Sequence, residues 1–290
     1  MKRRLFVNSL FSSFGRNALT VLIGIGAMSL LPSGKATPPP PNGDTLARDM
    51  ISAYHRLTSL EETSETKIIV RGQREYIQTG SFRFKRPGLF TLITTDPYAG
   101  TFTVQTDGRL TVVYSGKSSV YARRNSPATL PAIIANFQKI SKDEMGVNLT
   151  QTLGPLSFLT ATGVPTEVKT FRFVGLETYD LYSGRKAYHI SGIAKPSVIK
   201  ELTGGGIIKP VRQNVDIWID PKTSLAVRVH CDLAWYQSAK TTEGKTVQVG
   251  NALSFDELKK SQKLNGAMDD KSFRFDPPKG ATLKFQTRKE

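Results

Sequence analysis

His230 stands directly before Cys231, and an imidazole beside a thiol is the raw material of a nucleophilic dyad or a metal site. The surrounding alternation assigns the two residues otherwise. Adjacent residues of a strand point to opposite faces. Cys231 falls on the apolar face with Val229 and Leu233, and His230 on the polar face between Arg228 and Asp232. A buried small hydrophobe beside a surface histidine is the expectation. His189 sits alone in Tyr188-His189-Ile190, and His55 lies on a helix beside Arg56 with no role assigned. No two histidines have metal-ligand spacing, there is no paired-cysteine motif, and no serine occupies a nucleophile elbow. Gly204-Gly205-Gly206 lacks the lysine and the serine or threonine of a phosphate loop and reads as a flexible strand connection. Asp143-Glu144 and Asp256-Glu257 are adjacent pairs in polar contexts, with nothing that marks one as acid and the other as base. No catalytic residue, metal ligand or cofactor site is expected, and the chain reads as a binding protein.

Apolar faces are what the sequence does supply. Asp44 is the expected N-cap of a first helix whose stripe is Leu46, Met50, Ile51, Tyr54 and Leu57, ending near Leu60. From Lys67 the helical period gives way to strands. Ile68 to Val70 is β-branched, and Phe82 and Phe84 alternate with Arg83 and Lys85. Phe102 and Val104 share a face, Asp107-Gly108 marks a hairpin, and Leu110, Val112 and Tyr114 resume the alternation. Ser118 to Arg123 reads as a further strand. Two apolar helices interrupt this meander. One starts at Thr129, keeping Pro131 in the first turn, and presents Leu130, Ile133, Ile134, Phe137 and Ile140. The other lies within Gln151 to Ala161, with Leu153, Leu156, Phe158 and Leu159.

Strands return at Phe171 and Phe173 and at Tyr188 and Ile190. The clearest hairpin follows. Val211, Gln213, Val215, Ile217 and Ile219 face one way, with Arg212, Asn214, Asp216 and Trp218 opposite. Asp220-Pro221-Lys222-Thr223 turns the chain, and Leu225, Val227, Val229, Cys231, Leu233 and Trp235 make a second apolar face. Short runs around Leu253 and Phe255, Phe273 and Phe275, and Leu283 and Phe285 close the chain. The expected fold is mainly β with some α: a curved antiparallel sheet whose inner face is covered by helices. A loose cover leaves a cavity for an apolar ligand, and a tight one a filled core. The pattern leaves both open.

The N-terminus places the chain. Lys2, Arg3, Arg4 and Arg16 precede or border an uncharged run, Ala18 to Leu31, and Gly34-Lys35-Ala36 puts small residues where a signal peptidase reads. Residues 1–36 are expected to be a cleaved export signal. An uncleaved anchor is the alternative, but the run rises only about 21 Å against roughly 30 Å of hydrocarbon. Cys231 is the only cysteine, so no lipid-bearing cysteine follows the run and no internal disulfide forms. Residues 37–43 read as a stiff proline-rich spacer, and residues 44–290 as one domain. The formal charge is +16; removing the five bases of the first 36 residues leaves 35 bases against 24 acids, or +11. Outside the cytoplasm, anionic lipid headgroups or acidic glycans are the available partners and nucleic acid is not. A charged surface that only keeps the protein in solution is the other reading.

Two stretches carry a family resemblance. The first is Gly80-Ser81-Phe82-Arg83-Phe84-Lys85-Arg86-Pro87-Gly88-Leu89-Phe90, followed by Gln105-Thr106-Asp107-Gly108. The second is Asn265-Gly266-Ala267-Met268-Asp269, then Phe273-Arg274-Phe275-Asp276-Pro277-Pro278-Lys279-Gly280. Their order and spacing resemble the periplasmic lipoprotein carriers of the LolA and LolB superfamily, over roughly Asp44 to Leu283. The resemblance implies an incomplete antiparallel β-barrel with helices as a lid over an apolar cavity. It implies that Arg86 holds the lid closed by hydrogen bonds. It implies a ligand surface of Phe82, Phe84, Phe90, Phe102, Ile133, Ile134 and Phe137. If the helix of Phe137 is such a lid, part of its apolar face is expected to meet a void or a replaceable lipid tail. The chain also carries extra sequence at Ser141 to Gln151 and Leu202 to Pro210. Two functions stand: a periplasmic, monomeric carrier or chaperone of a lipid or of a lipoprotein's acyl chains, dealing with envelope membrane proteins; or a sensor or interaction module of the same fold that binds a protein or peptide.

Overall fold

Twelve strands form one curved sheet, with apolar residues of the first eleven lining its inner face, in this computed structural model, which describes residues 40–145, 154–160, 167–180, 184–197, 208–240 and 242–286. The chain divides into two units, Met1–Pro39 and Pro40–Glu290, the second of them compact. The first lies outside the described residues, and with it the expected export signal and the first three residues of the spacer. So do Gly204-Gly205-Gly206, Leu153, and the side chains of Asp143, Glu144 and Phe285.

The second unit begins with α1 (Gly43–Arg56), followed by β1 (Ser59–Val70), β2 (Tyr76–Lys85), β3 (Leu89–Asp96), β4 (Gly100–Thr106), β5 (Leu110–Ser115) and β6 (Val120–Asn125). Then come α2 (Leu130–Met145) and α3 (Gly154–Thr160). The second half holds β7 (Val168–Asp180), β8 (Arg185–Ala194), β9 (Ile208–Ile219), β10 (Ala226–Lys240), β11 (Thr246–Leu264) and β12 (Thr282–Gln286). The strand order is β12-β6-β5-β4-β3-β2-β1-β11-β10-β9-β8-β7. Each half is a meander, and β1 and β11 join them. Only β12 runs parallel to its neighbour, β6. Strands β12 and β7 are the two edges, so the barrel is incomplete. The expected class, an incomplete antiparallel barrel covered by helices, is the observed one.

The inner face carries Phe82, Phe84, Phe90, Val104, Ile190, Val215, Ile217, Val229 and Cys231. Met50, Ala53 and Tyr54 of α1, Leu130 to Ile140 of α2, and Leu156, Phe158 and Leu159 of α3 pack onto it in one cluster. Each such side chain contributes about 1.5–3 kcal/mol by leaving water.

Several expectations need correction. Asn42, not Asp44, caps α1, its side chain accepting the Thr45 N–H at 3.1 Å. The helix stops at Arg56, and β1 begins eight residues before Lys67. The polar run from Glu61 to Thr66 hid that strand, which forms because β2 and β11 pair along it on both sides. In the β9–β10 hairpin the register slips opposite Ala234 and Trp235, leaving Val211 unpaired and 62% exposed. A second slip between Ala226 and Arg228 turns Val227 away from the main core, onto Tyr179, Ala187 and Trp218. Helix α2 keeps Pro131 in its first turn, and α3 falls inside the expected span.

Candidate functional site

Arg86 sits where β2 turns into β3, facing the C-terminal end of α1. Its Nε donates to the Leu57 carbonyl at 2.7 Å and its Nη2 to the His55 carbonyl at 2.6 Å. These are carbonyls that a helix end leaves without intrahelical donors, and a forked cation satisfies two at once. The guanidinium also lies 5.6 Å from the Phe84 ring centroid. From the far end of the chain, Asn265 reaches the same segment: its Oδ1 accepts the Thr58 N–H at 2.9 Å and the Thr58 hydroxyl at 3.0 Å. The Asn265 N–H donates to the Ser59 carbonyl at 2.9 Å. Lys85 Nζ donates to the Met268 carbonyl at 2.9 Å and pairs with Asp270. The two motifs singled out in the sequence thus converge on Leu57 and Thr58, the two residues that join α1 to β1, and on Ser59 at the start of β1. The helix that Arg86 holds is α1; among its described contacts none is with α2 or α3.

The expected apolar ligand residues lie together. Phe82, Phe84 and Phe90 are buried in one aromatic row, with Phe82 6.5 Å from each of the other two ring centroids. Phe137 lays its edge on Phe90 at 5.9 Å and is fully buried. Ile133 and Ile134 are buried beside it, and Phe102 is half-buried against the same cluster. The face of Phe137 therefore meets protein in this conformation, where a void or a lipid tail had been expected.

A polar cluster escaped the sequence reading. Lys259 Nζ lies 2.7 Å from both Glu62 Oε1 and Glu257 Oε1, with Lys259 and Glu62 almost wholly buried. Gln262 donates to Glu62 Oε2 and to the Ala226 carbonyl, both at 3.1 Å. Burial pushes the Glu62 carboxyl up, and two carboxylates outweigh burial to keep Lys259 protonated. Tyr54 of α1 lies over this cluster, near Gln262 and Ala226, stacked on Phe158 of α3 at 4.9 Å. The buried hydroxyl has no hydrogen bond of good geometry, and burial raises it well above the ordinary tyrosine range. Parity held the clue: Glu62 shares Leu60's face, and Glu257 and Lys259 share that of Leu253 and Phe255.

His189 is not alone. Its Nδ1 faces Glu177 at 2.9 Å, its Nε2 faces Asp216 at 3.1 Å, and its ring stacks on Trp218 at 4.3 Å. Burial alone would lower its pKa; the two carboxylates prevail and leave it raised. Asp256 and Glu257 part company across the sheet: Asp256 accepts from Arg228 Nε at 2.8 Å, and Glu257 joins the buried cluster. Cys231 is buried, and burial pushes its thiol well up, as suits an inert core residue.

Between α1 and the edge strand β7 runs a groove of about 820 Å³. Ala47, Met50, Ile51, Val168 and Phe171 give it an apolar lining, and Asp44, Thr45, Arg48 and Ser52 a polar side.

A model of the family described as "Predicted periplasmic protein (DUF2092)" matches residues 48–285. The chain belongs to the DUF2092 family. The DUF2092 protein is periplasmic, and no helix among its described residues is long and apolar enough to cross a membrane. No curated protein matches it. Solved structures similar to this DUF2092 chain include lipoprotein LppX of Mycobacterium tuberculosis, at 18% identity and TM-score 0.40, covering 78% of this chain and 96% of that one. LprF of Mycobacterium bovis is similar at 13% identity and TM-score 0.39, covering 83% and 100%. A LolA superfamily protein from Nitrosomonas europaea is similar at 11% identity and TM-score 0.33, covering 81% and 99%.

Proposed function

We propose that this DUF2092 chain is a non-catalytic carrier or chaperone that shields a lipid, or the acyl chains of a lipoprotein, in the periplasm. The observation that supports it is the groove at the open edge of the incomplete barrel. Its 820 Å³ lies in the range of small-ligand sites, and its floor is apolar. Helix α1 forms one wall. Arg86 and Asn265 fix its C-terminal end, and at the other end the Asp44 carboxylate takes the Phe171 N–H. In this reading Arg86 anchors a lid, and the inner-face phenylalanines with Ile133, Ile134 and Phe137 are the surface an acyl chain reaches once the helices lift. Residues 1–36 act as the export signal, the carrier works as a single copy, and envelope membrane proteins hand it its cargo.

A delipidated sample titrated with a pyrene-labelled fatty acid tests the reading. Saturable binding near one probe per chain is expected. A response that never saturates, or none, overturns it.

A further inference from the structure

Helix α1 carries an acid and a base four residues apart, Asp44 and Arg48, the spacing of a helical ion pair. They do not pair. Asp44 Oδ1 instead accepts the backbone N–H of Phe171, at 2.7 Å, on the edge strand β7. Two glycines make that diversion possible. A Cβ on Gly43 would strike the Phe171 carbonyl, so only glycine lets the start of α1 settle on β7. A Cβ on Gly192 of β8 would strike the Val168 side chain, at the place where β7 slips its register between Val168 and Phe171. The edge strand rides up to the helix there.

Arg48 is left over. Among the described residues its one hydrogen bond runs from Nη2 to the Thr45 hydroxyl at 3.1 Å, and it has no ion pair. It lines the groove beside an apolar floor. Lys169, exposed in the slipped stretch of β7, has no ion pair among the described residues either. Of the acids in the adjoining sequence, Asp44 is turned to the β7 amide, Glu167 is paired with Lys195 at 3.0 Å, and Asp49 follows Arg48 on α1. An exposed guanidinium with no counter-ion among the described residues, at the side of an apolar groove, matches a carboxylate or phosphate oxygen pair. The +11 left after residue 36 steers anions toward the protein as a whole.

We propose that the groove between α1 and β7 takes an amphiphile with an anionic headgroup, its chain along Ala47, Ile51, Val168 and Phe171 and its headgroup on Arg48. This rests on the carrier reading and names the ligand class for it. The shared chemistry is an oxyanion on an apolar chain, whether a fatty carboxylate or a lipid phosphate.

The test compares cis-parinaric acid with its neutral methyl ester on the exported protein, by fluorescence. The acid should bind about fivefold more tightly, the scale of one partly exposed ion pair. Arg48→Gln should abolish that preference, bringing the acid's affinity down to the ester's. Ser52→Trp, at an exposed groove position, should weaken both probes while the unfolding midpoint holds. Decanoate and short-chain phosphatidylglycerol, as competitors, separate the carboxylate from the phosphate source, and displacement by either above a neutral monoacylglycerol supports the assignment. Equal binding of acid and ester by the parent protein overturns the headgroup assignment and leaves the carrier reading standing. Full binding in Ser52→Trp places the ligand elsewhere. Binding of neither probe sinks both readings together.

Discussion

Asn265 takes both hydrogen bonds that Thr58 can donate, the N–H at 2.9 Å and the hydroxyl at 3.0 Å, across 207 positions of sequence. Arg86 holds the carbonyls on the other side of the same linker. The C-terminal end of α1 is thereby fixed by two loops that are distant in the chain and adjacent in the fold. One consequence is that these polar residues act on the helix and not on a reacting group.

Arg86→Leu should therefore leave the sheet intact and loosen one helix end. Two helix-end carbonyls lose a charged donor, for a stability loss of about 1.5–3 kcal/mol. Hydrogen exchange of the last α1 turn should accelerate, and a bound acyl probe should leave faster. Unchanged exchange and an unchanged probe off-rate would remove the anchoring role.

Lys259→Met should be among the most damaging single changes. It leaves Glu62 and Glu257 buried without their shared cation, a loss of about 3–5 kcal/mol. The triple change Glu62→Leu, Glu257→Leu, Lys259→Met should recover most of it, because no charge is then buried. Denaturant midpoints of the two variants provide the check. A triple variant no better than the single one would mean that the cluster's shape, not its charge, is what matters.

His189 gives the fold a pH dependence with a definite sign. Its pKa is raised in the folded state by Glu177 and Asp216, against the opposing pull of burial. A raised histidine contributes stability in full below its unfolded value of about 6.5, and loses it as pH climbs through the folded value. The parent should exceed His189→Gln by about 1 kcal/mol at pH 6 and by less at pH 9. A gap that widens with pH would reverse the assignment.

Phe137→Ala should cost about 3–5 kcal/mol, since its ring is fully buried edge-on against Phe90. The much smaller loss expected of a helix above empty space does not suit this packing. Acyl ligand should restore part of the loss if the new void opens into ligand space. Calorimetry with and without decanoate measures both.

Period-two alternation made much of this legible. It divided Cys231 from His230 and aligned Phe82 with Phe84, and helical spacing found α2 around Pro131. It failed where partners come from far away. Nothing in the polar run around Glu62 marks it for burial, because Lys259 stands 197 residues on. His189 looked solitary because its carboxylates come from β7 and β9. Val211 and Val227 were placed on the wrong faces because bulges reset parity without a mark in the sequence. The groove was invisible for the same reason. It depends on Gly43 and Gly192 letting an edge strand approach a helix, and glycine spacing alone does not announce that.

Native mass spectrometry of the protein released gently from its own periplasm tests the carrier reading most directly. The account predicts a population whose mass exceeds that of the chain by one lipid or acyl species, lost on activation in the gas phase. A single lipid-free species, or one that carries only a protein partner, would contradict it.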